Sequence, residues 1–309
     1  MSAAVDVHQH LWPEPLLEAL HRRARPPLIR RSGGGWVLRI AGEPEWPVDP
    51  ADHDPVRRAA LVREDGLDEA IVALSSPLGI EALPPDEAAG LIDAYHAGTS
   101  GLPAGLRAWA SAGVAAPDAR ALAAALEGGF VGLCLPAGAL SGPGGTDQCA
   151  PLLRLLEERS APLLVHPGPA PWAPSPPGAG LPPWWPALTS YVGQMQTAWL
   201  VVRTWARTAF PRLRICFAML AGLAPLQAER LASRGADADP RDPLTFYDTS
   251  SYGPQALAAM ALAVGPEALV HGSDRPVVAP APPAPGRPDI HATRVVNTAR
   301  LLAPEEVHA

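Results

Sequence analysis

The chain has 309 residues, which is enough for one large α/β domain, and 48% of them are hydrophobic. Its formal net charge is −7 and it contains no basic tract, which argues against nucleic acid as a main partner. No apolar run reaches the ~18 residues of a membrane span, and the N-terminus lacks the pattern of a secretory signal, so we expect a cytoplasmic protein.

The first predicted strand, residues 4–10, ends in two histidines, His8 and His10. Residues i and i+2 of a strand point to the same face, so both imidazoles can reach one metal ion. The alternative is that they are two unrelated polar residues at a strand-to-loop junction. The remainder of the chain decides between these interpretations.

A short helix is predicted at 14–23, and residues 26–55 then depart from any regular pattern. A glycine turn at 33–35 precedes an alternating segment, which predicts a small hairpin, and prolines keep the rest irregular. A long excursion directly after the first strand is typical of a lid or pocket wall within one domain, here residues 1–309, rather than of an independent domain. His53, in this excursion, is a candidate for the lining of a pocket.

From about residue 55 onward, helices alternate with apolar strands. The predicted strands are 70–75, 106–111, 130–135, 162–166, 213–219, 245–249 and 268–273. The predicted helices are 55–65, 86–98, 117–127, 150–160, 187–209, 225–234, 254–264 and 289–302. Eight strands alternating with helices predict a (β/α)8 TIM-like barrel with a small insertion after strand 1. A doubly wound open sheet is the alternative, which is disfavoured because no Gly-rich nucleotide loop follows the first strand.

Polar residues at the strand ends point to a metal site, because the C-terminal ends of barrel strands form the active-site face. His166 ends the fifth strand and Asp274 follows the eighth. With His8 and His10, they offer three imidazoles and one carboxylate, a set suited to zinc, with manganese, iron or cobalt as alternatives. Singly, His166 could be a loop histidine and Asp274 a turn residue. A carbamylated lysine is excluded as a ligand because all 24 basic residues are arginine.

These features resemble the amidohydrolase superfamily. They are most similar to the branch that contains aminocarboxymuconate-semialdehyde decarboxylase and related non-oxidative decarboxylases. The resemblance runs over nearly the whole chain, on the motifs Asp6-Val7-His8-Gln9-His10, His166-Pro167, Tyr191-Val192-Gly193, Phe210-Pro211-Arg212-Leu213, Tyr247-Asp248-Thr249 and Gly272-Ser273-Asp274-Arg275-Pro276.

The resemblance implies a site with one divalent metal ion, zinc above others, bound by His8, His10, His166 and Asp274. It also implies a small-molecule substrate and a possible homodimer. Arginines such as Arg57 or Arg275 could hold a substrate carboxylate, and Trp12, Trp184 or Trp185 could stack on a ring. The family places a histidine at the end of strand six, where this chain has Met219. A thioether cannot transfer protons.

Two hypotheses about function follow. In the first, the protein is a metal-dependent hydrolase or carboxy-lyase that acts on a small carboxylate-bearing or aromatic molecule, through a metal-bound water and the catalytic Asp274. In the second, the barrel is catalytically degenerate and serves as a binding or scaffold protein, because Met219 replaces the strand-six histidine.

Overall fold

The computed structural model describes residues 3–172, 182–236, 239–278 and 289–302. Its strands are β1 Val5–His10, β2 Leu28–Ser32, β3 Gly35–Arg39, β4 Trp46–Val48, β5 Glu69–Ala73, β6 Leu106–Ala108, β7 Ala110–Ser111, β8 Leu133–Pro136, β9 Leu163–His166, β10 Ile215–Phe217, β11 Thr245–Asp248 and β12 Leu269–Val270.

The α-helices of the described residues are α1 Glu14–His21, α2 Pro55–Glu64, α3 Pro85–Thr99, α4 Ala119–Glu127, α5 Pro143–Glu158, α6 Trp185–Leu188, α7 Ser190–Val201, α8 Arg207–Ala209, α9 Ala228–Ala232, α10 Pro254–Val264 and α11 Asn297–Leu302. Two π-helical turns, Val202–Ala206 and Ala292–Val296, precede α8 and α11. Short 3-10 turns include Pro50–His53 and Ser76–Leu78. None of the described helices has the length and apolarity needed to cross a membrane.

The strand order is that of the predicted (β/α)8 barrel. Parallel pairing gives β1-β5-β6 and β7-β8-β9-β10-β11-β12, and β6 and β7 flank Trp109 within one extended segment. Backbone hydrogen bonds then join the end of the last strand to the first: Val7 N–H donates to His271 O (2.9 Å) and Asp274 N–H donates to His8 O (2.9 Å). These bonds bring residues 271–274 alongside β1.

The interior of the barrel is filled by apolar side chains from successive strands. They form one buried cluster that includes Val5, Val7, Ile71, Ala73, Trp109, Cys134, Leu164, Cys216, Phe246 and Val270. Layers of this kind, contributed by different strands, make a barrel centre solid rather than porous. The helices pack outside, and the strands are buried on both faces, which explains their apolar sequences.

A β-bulge in β1 controls which of its residues face inward. The register against β5 shifts between Asp6 and Gln9: Asp6 pairs with Ala70 and Gln9 pairs with Val72, so a step of three residues along β1 matches a step of two along β5. Before the bulge, the odd-numbered Val5 and Val7 join the interior cluster. After it, the even-numbered His8 and His10 take the inward positions. The bulge therefore lets one short strand supply both core residues and polar site residues.

Residues 26–55, called the excursion below, contain a separate antiparallel sheet. Its strand order is β2-β3-β4, so the predicted hairpin gains a third strand, Trp46–Val48. Ile29 and Leu38 are buried against α1 and α3 together with Trp12. The sheet is thereby fixed to one side of the barrel.

Helix α5 differs most from its prediction, because it begins at Pro143 rather than at residue 150. In the structure, a Cβ on Gly145 would lie 2.2 Å from the carbonyl oxygen of Ala139. The glycine is therefore needed for close packing of the first helical turn.

Candidate metal centre at the ends of the strands

Four residues, called the cluster below, meet at the C-terminal ends of the strands: His8, His10, His166 and Asp274. One candidate ligand atom from each lies within 4.8 Å of all the others. The Nε2 atoms of His8 and His10 are 3.1 Å apart, and Nε2 of His10 lies 3.0 Å from Oδ1 of Asp274. The structure thus brings together the four residues singled out in the sequence.

The orientation of each ring is fixed through its Nδ1 atom. His8 donates from Nδ1 to Oδ2 of Asp248 at 2.6 Å. Nδ1 of His10 lies 3.3 Å from Ala73 O, and Nδ1 of His166 lies 2.9 Å from Pro167 O. Because these oxygens only accept, each Nδ1 carries a proton, and each Nε2 presents a lone pair once the ring is neutral. Three lone pairs directed at one point, beside a carboxylate, are what a divalent ion requires.

The carboxylates around the cluster favour a positive charge there. Burial opposes ionisation of His8, but the carboxylates of Asp248, Asp274 and Asp6 outweigh it and raise its pKa to about 9. Burial lowers the pKa of His10 and of His166. Burial alone would raise the pKa values of Asp248 and Asp274, yet the neighbouring histidines hold both below the usual range. The ionised Asp248 and Asp274 therefore stabilise positive charge at the cluster, either the proton on His8 or a metal ion that replaces it.

Asp248 is a site residue to which the sequence interpretation gave no role. It lies at the end of β11, is fully buried, and accepts hydrogen bonds from both the backbone N–H and the Oγ–H of Ser250. Its position at the C-terminal end of an apolar strand, within the Tyr247-Asp248-Thr249 motif, was the available signal.

Met219 follows β10 and begins a left-handed turn. Residues Met219–Leu223 all have positive φ values, and Met219 itself is at φ 44°. Its backbone N–H donates to Oδ1 of Asp248 at 3.1 Å. Its main chain therefore supports the carboxylate that orients His8, whereas its side chain supplies a half-buried thioether.

The two arginines proposed for substrate binding have other partners. Arg57 is half-exposed on α2 and lies 3.8 Å from Asp52. Arg275 makes a two-pronged ion pair with Asp65, with both hydrogen bonds at 3.0 Å. Both guanidinium groups are thus matched with carboxylates of the protein.

The proposed aromatic residues lie in different surroundings. Trp12 is buried, and its indole N–H donates to Oγ of Ser75 at 3.1 Å. Trp184 is 54% exposed and contacts Trp185. Part of the Pro- and Trp-rich loop, residues 173–181, lies outside the described residues.

A polar network supports β1 from behind the cluster. Oδ1 of Asp6 accepts the backbone N–H groups of His8 (3.0 Å) and Ser273 (3.1 Å), and its other oxygen accepts from Gln9. Buried Arg58 donates in turn to Oε1 of Gln9. These bonds tie the backbone at His8 to the segment that carries Asp274.

Comparison with known proteins gives matches at the level of structure. No protein-family model and no curated protein sequence matches the chain. Among solved structures, IDCase of Metarhizium anisopliae in its apo form is 17% identical with a TM-score of 0.74, covering 98% of this chain and 97% of that one. A 5-carboxyvanillate decarboxylase from Sphingomonas paucimobilis is 16% identical with a TM-score of 0.69, covering 98% and 99%.

A third similar structure is a dihydroxybenzoic acid decarboxylase from Polaromonas, with bound manganese and the inhibitor 2-nitroresorcinol. It is 15% identical with a TM-score of 0.62 and covers 100% of both chains. At such identities the likeness establishes the fold. It confirms the TIM-like barrel that the sequence predicts.

Proposed function

We propose that the chain is a metal-dependent non-oxidative decarboxylase of a small aromatic carboxylate. The observation that carries this proposal is the convergence of three Nε2 lone pairs and the Asp274 carboxylate at the active-site face of the barrel. The three similar structures described above are decarboxylases of this fold, which supports the same reaction.

In this proposal His8, His10, His166 and Asp274 hold the ion. Three imidazoles and one carboxylate are compatible with zinc or manganese, and the similar Polaromonas structure contains manganese. When bound, the ion supplies positive charge that stabilises an anionic oxygen of the substrate. Asp248 and the carbonyl groups of Ala73 and Pro167 keep the three rings aimed at it.

Asp274 is the residue that moves a proton. Its neighbouring histidines keep it ionised at rest, so it first accepts a proton, for example from a phenolic hydroxyl of the substrate. The bond from ring carbon to carboxylate then breaks, CO2 leaves, and the electron pair remains on the ring carbon. That carbon takes the proton from Asp274, which restores the carboxylate.

Metal analysis and an assay of CO2 release test the proposal. We expect about one equivalent of divalent metal per chain, as mononuclear sites hold. We also expect turnover of 2,6-dihydroxybenzoate or 5-carboxyvanillate. D274N should abolish turnover, whereas D147N, at an exposed carboxylate of α5, should not. A protein that takes up no metal when supplied with zinc or manganese contradicts the proposal. Uptake of metal without turnover of any aromatic carboxylate supports the binding-protein alternative.

A further inference from the structure

His53 is a buried histidine of the excursion that lies beside the strand carrying the cluster. Its side chain is stacked on Trp12, with ring centroids 4.4 Å apart and an interplanar angle of 15°. Only 5% of its surface is exposed. Trp12 follows His10 by two residues and is anchored through Ser75, just beyond the end of β5. His53 therefore lies at the same end of the barrel as the cluster.

The hydrogen bond that His53 accepts fixes its tautomer. The backbone N–H of Trp12 donates to Nδ1 of His53 at 3.1 Å. Burial and the nearby charges of Arg58 and His10 lower the pKa of His53 to about 3, so the ring is neutral near pH 7. With Nδ1 acting as acceptor, the proton is on Nε2. This tautomer is the opposite of that in the cluster histidines, which present Nε2 as a lone pair.

The Nε2–H group of His53 has no hydrogen-bond partner among the described residues. It is not among the unpaired side-chain atoms that are sealed from solvent, so this donor of an otherwise buried ring stays accessible. An accessible donor held in place beside a binding site is a candidate for a ligand contact. A protonated Nε2 cannot bind a metal ion, which excludes His53 as a fifth ligand. The guanidinium of Arg58 adds positive charge nearby, so the partner that suits this donor is an anionic or carbonyl oxygen.

A second contact holds the excursion over the same end of the barrel. The hydroxyl of Tyr191, at the start of α7, donates to Oε1 of Glu43 at 2.5 Å. Burial and the carboxylate of Glu43 raise the pKa of Tyr191, and the charge of Asp274 adds to this, so the contact lies near the cluster. The excursion is therefore tied to the barrel on the Asp274 side by Glu43 and on the His10 side by His53.

We propose that His53 donates a hydrogen bond from Nε2 to an oxygen of the bound substrate, with Trp12 holding the imidazole in place. His53 would thereby supply, from the excursion, an imidazole that the chain lacks at Met219. The inference rests on the proposed decarboxylase function and adds a residue that recognises the carboxylate or phenolic oxygen of an aromatic acid.

Two amide substitutions separate this role from a structural one. In H53N the amide oxygen replaces Nδ1 and keeps the bond from Trp12, but no donor remains at the Nε2 position. In H53Q the amide nitrogen replaces Nε2 and keeps that donor. H291N, at an exposed histidine, is the control. The probe is 2-nitroresorcinol, measured by calorimetry on manganese-loaded protein, with metal content and melting temperature recorded for every variant.

We expect H53N to weaken binding of 2-nitroresorcinol by on the order of tenfold or more, as loss of one hydrogen bond to a charged group does. H53Q should stay within about threefold of the wild type, and manganese content should not change. If H53N does not fold, H53F is compared with H53Q, because both lack the Nδ1 acceptor and only H53Q keeps a donor at the Nε2 position. Equal affinities for wild type and H53N, equal losses in H53N and H53Q, or loss of manganese in H53N each overturn the inference. Failure of the loaded wild type to bind 2-nitroresorcinol and to turn over aromatic carboxylates overturns the proposed function itself.

Discussion

Nδ1 of His8 donates a hydrogen bond to Oδ2 of Asp248 at 2.6 Å, although 240 residues separate them in sequence. The acceptor is itself fixed, because Oδ1 of Asp248 receives the backbone N–H groups of Met219 and Ser250. A carboxylate held in this way sets both the tautomer and the direction of the imidazole. His8 lies on β1, which pairs with β5 on one side. It is oriented by Asp248 of β11, which lies on the other side of β1.

We expect the substitution D248N to weaken metal binding by about 10- to 100-fold, the cost typical of losing such a partner to a metal-bound histidine. The amide removes the negative charge that favours the Nδ1–H tautomer of His8. Competition with a chromogenic chelator measures the affinity, and far-UV circular dichroism checks the fold.

S250A is the matched control for D248N, because it removes one donor to Asp248 and leaves the carboxylate and two backbone N–H donors in place. Its metal affinity should fall by less than about threefold, because the carboxylate keeps its charge, its bond to His8 and its two backbone donors. A D248N protein that binds metal as tightly as S250A would show that the carboxylate is not needed to orient His8.

The parts of the fold set by hydrophobic pattern could be predicted from the sequence. The alternation of apolar strands with helices gave the barrel, and position at strand ends gave the four residues of the cluster. The bulge between Asp6 and Gln9 could not be predicted in this way. A strict alternation along β1 puts His8 opposite to Val7, and only a register shift allows both to face inward.

The hydrogen bonds that support the site could not be predicted from the sequence either, for a different reason. The bonds from Asp248 to His8 and from Trp12 to His53 join residues far apart in the chain. Nothing in the local pattern near His53 distinguishes a site residue from a solvated loop histidine. Arg57 shows the opposite case. Its guanidinium group suggested a role in binding a substrate carboxylate, but it lies on the surface of α2 beside Asp52.

Met219→His tests whether the missing strand-six imidazole limits turnover. A histidine tolerates a positive φ better than most residues, so the left-handed turn at φ 44° should accept it. Because His53 already supplies an imidazole in our proposal, we expect kcat on 2,6-dihydroxybenzoate to change by less than about tenfold. A gain of about a hundredfold or more, the size of a restored acid–base group, would instead support the catalytically degenerate hypothesis.

Tyr191→Phe should loosen the excursion without unfolding the barrel. The substitution keeps the ring and removes the hydroxyl that donates to Glu43. Loss of about 1 kcal/mol of local stability raises amide exchange roughly fivefold. We expect this increase in residues 35–48, as measured by hydrogen–deuterium exchange with mass spectrometry.

Y252F, which removes a hydroxyl from another partly buried tyrosine, should leave that segment unchanged. Unaltered exchange in Y191F would show that the Glu43 contact does not hold the excursion.

His96, on α3 and outside the cluster, makes the free energy of unfolding depend on pH. Nε2 of His96 accepts the backbone N–H of Ser111 at 3.0 Å, and burial, opposed weakly by Asp93, lowers its pKa to about 4. The unfolded chain binds a proton near pH 6.5, whereas the folded chain does not until about pH 4. The contribution of His96 is therefore fully present above pH 6.5 and is lost as the pH falls toward 4. In H96Q, whose amide oxygen can still accept from Ser111, urea unfolding should show a smaller decline in free energy between pH 7 and 4.5 than the wild type. Parallel declines in the two proteins would mean that His96 takes up its proton equally in the folded and unfolded states.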